Sequence, residues 1–139
     1  MVHIQLEEIE KYAIENNVPI MQKDGIEFLT KYIKENNIKK ILEIGSAIGY
    51  SAIKMALVDD NIKVTTIERD IERYNIAVKN INDFNLNDYL FAKLSKTSTY
   101  LVTLFGNSDV DLVSKNYSHF LSKLTGRLTR FFFKDIREI

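Results

Sequence analysis

Two stretches decide the fold: KKILEIGSAIGYSAI, from Lys39 to Ile53, and VTTIERD, from Val64 to Asp70. The first contains an apolar run without polar alternation, which is typical of a parallel strand that is covered on both faces. This run leads into a glycine turn and then into the start of a helix. The second stretch is another apolar strand, and it ends on an acid. Together they predict a strand, a crossover helix and a second, parallel strand.

The glycine turn from Gly45 to Gly49 predicts a ligand site at the end of the first strand. A glycine that leaves a strand tolerates a positive φ and lets a ligand approach the backbone. The helix that follows directs free N–H groups at the ligand. Glu68 lies 19 residues after Gly49, where an acid usually accepts two ribose hydroxyls. The pattern predicts half of a nucleoside site, with a turn that binds nothing as the alternative.

The pattern Glu43-x-Gly45-x-x-x-Gly49 differs from the dinucleotide fingerprint GxGxxG, which uses three glycines to approach a pyrophosphate. Here a carboxylate precedes the first glycine, and a phosphate would not favour that position. A cationic ligand such as S-adenosylmethionine (SAM) would favour it. The missing third glycine counts against a nicotinamide-type nucleotide, which stays open as another hypothesis.

Residues 10 to 81 resemble the small class I O-methyltransferases of the catechol methyltransferase-like group. They are most similar to the bacterial tRNA 5-hydroxyuridine methyltransferases. The matching stretches are YAIENNVPIMQKDGIEFL, ILEIGSAIGYSAIKMA and VTTIERDIERYNIAVKNI. The resemblance implies that the segment containing Met21 folds over the cofactor and that Glu68 holds the ribose. It also implies which residues hold the methionine part of SAM: Gly45, Ser46 and Ser51.

The coarse architecture that the sequence predicts is α/β, a Rossmann-like class I methyltransferase fold. We expect a mainly parallel sheet with helices on both faces, incomplete at its C-terminal end. The expected elements are helices at 4–16, 23–35, 50–58 and 70–82, with strands at 40–44 and 63–68. The whole chain, 1–139, is predicted to form one domain. Its parts are N-terminal helices and a cofactor lid (1–38), a cofactor-binding unit (39–83) and a divergent remainder (84–139).

The resemblance weakens after about Phe84. The segment YLFAKLSKTS, residues 89–98, reads as an insertion, and YLVTLF, residues 100–105, reads as the third strand. The turn after it would then contact the adenine through Asn107 and Ser108. Asparagine can donate to an adenine ring nitrogen or accept from its amino group. An ordinary turn of Gly106, Asn107 and Ser108 is an equal alternative.

The family has a fourth strand that ends in an aspartate contacting metal and cofactor, followed by a lysine. The resemblance offers Asp111 as the metal and catalytic counterpart and Lys115 as the catalytic lysine. Only a short run, DVDLV, accompanies Asp111, and the later Asp-Asn pair that completes the metal site is absent. Magnesium requires several oxygen ligands, so Asp111 alone cannot supply a site. The sequence therefore leaves Mg²⁺ as a tentative cofactor beside SAM.

Composition predicts one soluble domain with a real core: 139 residues, 45% hydrophobic and 27% charged. No apolar run is long enough to cross a bilayer, and the acidic amphipathic start is not a signal peptide. The absence of cysteine excludes disulfides, thiolate metal sites and cysteine nucleophiles. We expect a cytoplasmic protein without a membrane partner.

The charges balance, with 19 Lys+Arg against 19 Asp+Glu, which argues against a strongly basic nucleic-acid module. The tail is locally basic and could contact tRNA or form a solvated face: Lys115, Lys123, Arg127, Arg130, Lys134 and Arg137.

The leading functional hypothesis is a SAM-dependent O-methyltransferase, expected as a homodimer, that methylates wobble 5-hydroxyuridine in tRNA. A small catechol-like hydroxylated substrate is the alternative acceptor. A cofactor-binding remnant that lacks catalysis is the alternative activity.

Overall fold

Four helices and four strands make up the part of the chain that the structure describes. The computed structural model describes residues 1–94 and, for the backbone alone, residues 112–115. The elements in chain order are α1 (Val2–Glu15), α2 (Lys23–Glu35), β1 (Lys40–Ile44), α3 (Tyr50–Ala56), β2 (Lys63–Glu68), α4 (Ile71–Asp83), β3 (Leu90–Leu94) and β4 (Leu112–Lys115).

The strands form one sheet in the order β3-β2-β1-β4, and every pairing in it is parallel. This confirms the predicted parallel α/β architecture. The chain steps from β1 through α3 to β2, and through α4 to β3, in the same direction across the sheet. Right-handed connections therefore place α3 and α4 on the same face. The carboxyl ends of all four strands meet at one edge, which is where ligands bind in open parallel sheets.

The hydrophobic core lies between the helices and the sheet face that α3 and α4 cover. Ile41, Val64 and Leu90 share one row of the register, are nearly fully buried and belong to the main hydrophobic cluster. Leu42 and Ile67 alternate to the opposite face and are also buried. Both faces of β1 and β2 are therefore covered, as the uninterrupted apolar runs predicted.

Three helices end in the same way, with an asparagine in the left-handed region. Asn17, Asn37 and Asn85 have φ values of +52°, +51° and +56°. After α2, the N–H of Ile38 bonds to the carbonyl of Ile33, which closes the last turn. The end predicted for this helix, at residue 35, is confirmed.

The prediction for the third strand was wrong. β3 occupies Leu90–Leu94, inside the segment that reads as an insertion, and pairs with β2 directly after α4. Its sequence, LFAKL, lacks a continuous apolar run, and β3 lies at the edge of the sheet that the described residues form. Only Leu90 is buried, while Phe91 and Leu94 are more than 40% exposed. The run at 100–105, where the third strand was predicted, lies outside the described residues.

The fourth strand follows Asp111 instead of preceding it. β4 begins at Leu112 and ends at Lys115, beside β1, with Ile41 opposite Leu112 and Ile44 opposite Lys115. Lys115 therefore sits at the carboxyl edge of the sheet. Asp111 itself lies outside the described residues.

None of the helices within the described ranges is both long and apolar enough to cross a membrane.

Candidate functional site

Buried polar side chains collect at one place. Within residues 1–94 they all lie at the carboxyl ends of β1 and β2, in the segment that joins β1 to α3, or in the first turn of α3: Glu43, Ser46, Ser51, Thr66 and Glu68. Burying polar groups costs free energy unless each finds a hydrogen-bond partner. On the same sheet face, two residues earlier along each strand, Ile41 and Val64 form apolar core. The change from apolar to polar marks the carboxyl edge as the candidate site.

Glu43 is fully buried and is held by hydroxyl groups. Ser51 Oγ donates to its Oε1, and Thr66 Oγ1 donates to its Oε2. Thr66 Oγ1 also shares a hydrogen bond of 2.6 Å with Ser46 Oγ. We call these four residues the Glu43 network. Burial raises the pKa of Glu43 to about 7, although the bonds from Ser51 and Thr66 act to lower it; the nearby Glu68 charge adds to the rise.

Glu68 joins the glycine loop to the start of α4. Its Oε2 accepts from the backbone N–H of Ala47 at 2.8 Å. Its Oε1 accepts from the N–H groups of Arg69 and Asp70 at 2.9 and 3.0 Å. Three backbone donors therefore orient a carboxylate that is only 6% exposed. The acid predicted to hold a ribose is fixed in place by the loop beside it.

The backbone of the glycine loop, residues 45–49, is unusual at three positions. Gly45, Ala47 and Gly49 have φ values of +97°, +47° and +86°. Ala47 is the informative one, because an alanine in the left-handed region costs roughly 1–2 kcal/mol. Its N–H bond to Glu68 helps to hold that conformation. A strained residue that the surrounding structure enforces is a common feature of functional sites.

Other elements hold the loop from outside. The N–H groups of Gly45 and Ser46 both donate to the carbonyl of Ile67, at 2.8 and 3.1 Å. From α4, Asn80 Nδ2 donates to the carbonyl of Ile48 at 2.8 Å. A Cβ added at Gly49 would lie 3.4 Å from Ala77 of α4, in van der Waals contact, so α4 packs directly against the loop. Strand β2 and helix α4 therefore preorganise the loop.

Helix α1 is attached to the same region. The hydroxyl of Tyr50, the first residue of α3, donates to Glu10 Oε1 at 2.5 Å. Burial and the nearby Glu10 carboxylate raise the pKa of Tyr50 well above its usual value, so the phenol keeps its proton. This bond connects the N-terminal segment to the helix that follows the loop.

The predicted site residues that lie within the described part of the chain divide into three groups. Glu43, Gly45, Ser46, Ser51 and Glu68 lie together around the glycine loop. Met21 is 2% exposed and packs in the main hydrophobic cluster. Lys115 ends β4 beside Ile44, at the same sheet edge as the loop.

The remaining predicted residues, Asn107, Ser108 and Asp111, lie outside the described part of the chain. An adenine turn at Asn107 and Ser108 requires a third strand at 100–105. The third strand of the described chain, β3, ends at Leu94 instead. The cofactor role of Asn107 and Ser108 therefore stays a prediction.

Sequence reasoning missed Thr66 and Ala47. Thr66 is the second residue before Glu68, so the alternation of a strand places both on the same face, and this signal was available. Its pairing with Glu43 depends on the β1–β2 register, which brings these two residues side by side. The strain at Ala47 has no signature in the sequence.

A metal site is not evident in this part of the molecule. Within the ranges that the structure describes, no three acidic, histidine or cysteine side chains are grouped so as to hold a metal ion.

A sequence model of the O-methyltransferase family matches residues 2–124, most of the chain. The chain belongs to the O-methyltransferase family. This assignment agrees with the glycine loop after β1, with the acid that ends β2 and with the parallel sheet.

Solved structures of O-methyltransferases have the same fold. A Staphylococcus aureus protein assigned as a caffeoyl-CoA O-methyltransferase is 25% identical, with a TM-score of 0.74, over 90% of this chain and 73% of its own. A Bacillus cereus O-methyltransferase in complex with S-adenosylhomocysteine is 25% identical, with a TM-score of 0.70, over 81% of this chain and 53% of its own.

The O-methyltransferase TomG from Streptomyces achromogenes, solved in complex with SAM, is similar in fold, with a TM-score of 0.67 at 21% identity. The match covers 78% of this chain and 51% of TomG. The O-methyltransferase-family chain described here therefore spans about half the length of TomG and of the Bacillus cereus enzyme.

Proposed function

We propose that this chain binds SAM at the carboxyl edge of β1 and β2 and transfers its methyl group to a hydroxyl oxygen. The observation that carries the proposal is the concentration of buried polar groups around a strained, preorganised glycine loop. Family membership supports the reaction class. Two of the similar structures hold SAM or S-adenosylhomocysteine, which supports the choice of ligand.

Different residues contact the methionine end and the ribose of the ligand. The positive φ of Gly45 opens the backbone, so the methionine end of the ligand can lie against the loop. Ser46 and Ser51 supply hydroxyls there. Glu68, oriented by three backbone N–H groups, offers its remaining lone-pair capacity to the ribose. Each group is fixed before the ligand arrives, which reduces the entropy that binding must remove.

The reaction requires alignment and removal of one proton. When bound, SAM would supply the methyl group and a neutral thioether as leaving group. The protein must hold the acceptor oxygen in line with the methyl group and accept the proton that the hydroxyl loses. We place Lys115, at the end of β4, and Asp111 among the candidates for this second task, and Asp111 also as a candidate ligand of Mg²⁺.

Calorimetric titration with SAM, repeated with S-adenosylhomocysteine, tests the binding proposal. Wild-type protein should bind both. Gly45→Val should abolish binding while the helical circular dichroism stays intact, because a β-branched residue is strongly disfavoured at this φ. Ile44→Val, one residue earlier, should bind as wild type does. If folded Gly45→Val bound SAM with wild-type affinity, the loop would be a structural turn and not a binding site.

For the methyl acceptor, we favour 5-hydroxyuridine at the tRNA wobble position, with a small catechol-like molecule as the competing substrate. The support is the similarity of residues 10 to 81 to the hydroxyuridine enzymes. Transfer of labelled methyl from SAM to hydroxyuridine tRNA, to unmodified tRNA and to catechol separates the two acceptors. Labelling of catechol alone would contradict the tRNA proposal, and binding without any transfer would favour the catalytically impaired remnant.

The proposals of a metal and a dimer are tested on the same protein. Activity should require Mg²⁺ or Mn²⁺, and Asp111→Ala should remove it. Full turnover in EDTA would exclude the metal role. Sedimentation equilibrium should give the mass of two chains if the protein works as a homodimer.

A further inference from the structure

The hydrogen bonds of the Glu43 network can be assigned hydrogen by hydrogen. Ser46, Ser51 and Thr66 contribute one hydroxyl hydrogen each. They make three bonds in series: Ser51 to Glu43, Thr66 to Glu43, and Ser46 to Thr66. An ionised Glu43 has no hydrogen to donate, so Ser51 and Thr66 must both donate to Glu43, and Ser46 must donate to Thr66. Ser46 and Ser51 then offer only lone pairs to any further partner.

A protonated Glu43 adds a fourth hydrogen to the same three bonds. If the carboxyl group donates to Ser51, the hydroxyl hydrogen of Ser51 is released. If it donates to Thr66, Thr66 turns toward Ser46, and the hydroxyl hydrogen of Ser46 is released. In both cases one hydroxyl becomes a donor to a further partner. The charge on Glu43 therefore decides whether Ser46 and Ser51 accept or donate.

We propose that Thr66 is a positioning residue of the cofactor site, which transmits the charge state of Glu43 to Ser46 in the glycine loop. The inference rests on the proposed function for the identity of the ligand. SAM carries an ammonium group at its methionine end, and an ammonium group needs acceptors. The site therefore binds SAM best when Glu43 is ionised, and binding expels the proton from any Glu43 that carries one.

Glu43 is the titratable member of the Glu43 network and is surrounded by polar and charged groups. They come from β2, the loop and α3: Thr66, Glu68, Ser46 and Ser51. In the backbone register of β1 and β4, Ser114 is the neighbour of Glu43, and Lys115 is the next residue. Burial raises the pKa of Glu43 to about 7. The change between accepting and donating hydroxyls consequently falls near neutral pH.

The first test needs no cofactor. The side-chain carboxyl carbon of Glu43 is titrated by ¹³C NMR, with Glu43→Gln identifying its signal. Thr66→Val should raise the midpoint, because a hydrogen bond that stabilises the carboxylate is lost, and Thr66→Ser should restore it. Thr65→Val is the matched control, since it makes the same chemical change on the opposite face of β2. A midpoint that Thr66→Val leaves unchanged would overturn the proposal.

The second test is calorimetry with SAM at pH 6 and pH 8 in buffers of different ionisation enthalpy. Wild-type affinity should be about tenfold higher at pH 8, because about a tenth of Glu43 is ionised one unit below its midpoint. At pH 6 close to one proton should be released. Glu43→Gln should lose this pH dependence, which separates it from titration of the ligand itself.

Thr66→Val should bind SAM more weakly at pH 8 and with a smaller proton release, and Thr66→Ser should bind as wild type does. If Thr66→Val does not fold, the proton release of the wild-type protein decides the matter. SAM binding that is independent of pH, without proton release, would overturn the role of Thr66 and Glu43 and leave the proposed function standing. A complete lack of SAM binding would overturn the proposed function, while the NMR titration would still decide whether Thr66 senses the charge of Glu43.

Discussion

On one face of the β1–β2 pair, the amino end buries apolar side chains and the carboxyl end buries polar ones. At the amino end, Ile41 and Val64 lie side by side in the main hydrophobic cluster. Two residues further along each strand, Glu43 and Thr66 are equally buried but polar. Burial of the first pair removes apolar surface from water and stabilises the fold. Burial of the second pair is tolerated only because every polar atom described there has a partner.

This difference shows how one strand pair can serve stability and binding separately. The apolar row would fold equally well beside a neutral polar row. A carboxyl group beside it reduces stability whenever it ionises, because no cation in the described part of the network compensates its charge. Such a cost is expected at a site that is retained for a ligand.

The largest expected effect is at the apolar end. Ile41→Ala should lower the free energy of unfolding by about 2–5 kcal/mol, through lost transfer energy and the cavity that remains. Urea denaturation measures this change. The SAM affinity of the folded variant should stay within about twofold of wild type, since the substitution lies two residues from the network. A large loss of affinity per folded molecule would show that the two ends are not independent.

The second-largest expected effect is a pH-dependent loss of stability caused by Glu43. In the unfolded chain its pKa is near the ordinary value of 4.5, and in the fold it is about 7. Between these values the folded state holds the proton and the unfolded state does not, so stability falls as pH rises. The total loss should be about 3 kcal/mol, complete above pH 7. Unfolding of Glu43→Gln, followed over the same pH range, should lack this decline; an identical decline would assign it to other groups.

Glu68→Gln should weaken SAM binding by roughly tenfold or more, as expected for the loss of a charged hydrogen bond of about 1.5–3 kcal/mol. The amide would also present N–H groups to one of the backbone donors that now bond to the carboxylate. Isothermal titration measures the affinity. The control, Glu72→Gln on the exposed first turn of α4, should bind as wild type does. Equal affinities of the two variants would place the ribose elsewhere.

The smallest effect is at Ala47. Ala47→Gly removes the strain of a left-handed alanine but adds freedom to the unfolded chain, so stability should rise by no more than about 1 kcal/mol. Ala52→Gly, within α3, should instead destabilise by roughly 0.5–1 kcal/mol. Thermal unfolding of both variants tests the opposite signs. A stability loss in Ala47→Gly would mean that its conformation is not strained.

Local pattern predicted most of the first half of the fold. Helix α2 and strands β1 and β2 have the predicted boundaries, because strong 3.6-residue periodicity and unbroken apolar runs specify each element without long-range help. Strand β3 was missed because a half-exposed edge strand needs little apolar character. Its neighbour β2, and not its own sequence, makes Leu90–Leu94 a strand.

The site could be predicted in part. Gly45, Ser46, Ser51 and Glu68 are near one another because they flank the ends of two adjacent parallel strands, a consequence of the motif spacing. The chemistry of Glu43 could not be predicted from spacing. A carboxylate before a glycine turn can face a ligand or the interior, and only the packed structure turns it toward Ser51 and Thr66.

The sequence by itself determined the strand-turn-helix-strand unit, the acid at the end of β2 and the left-handed asparagine that ends α2, since each depends on neighbours along the chain. The tertiary structure decided the position of β3, the strain at Ala47 and the hydroxyl network around Glu43. The physical reason is that strand register and burial are properties of pairs of segments. Thr66 becomes a partner of Glu43, 23 residues away, only when β1 and β2 lie side by side and water is excluded between them.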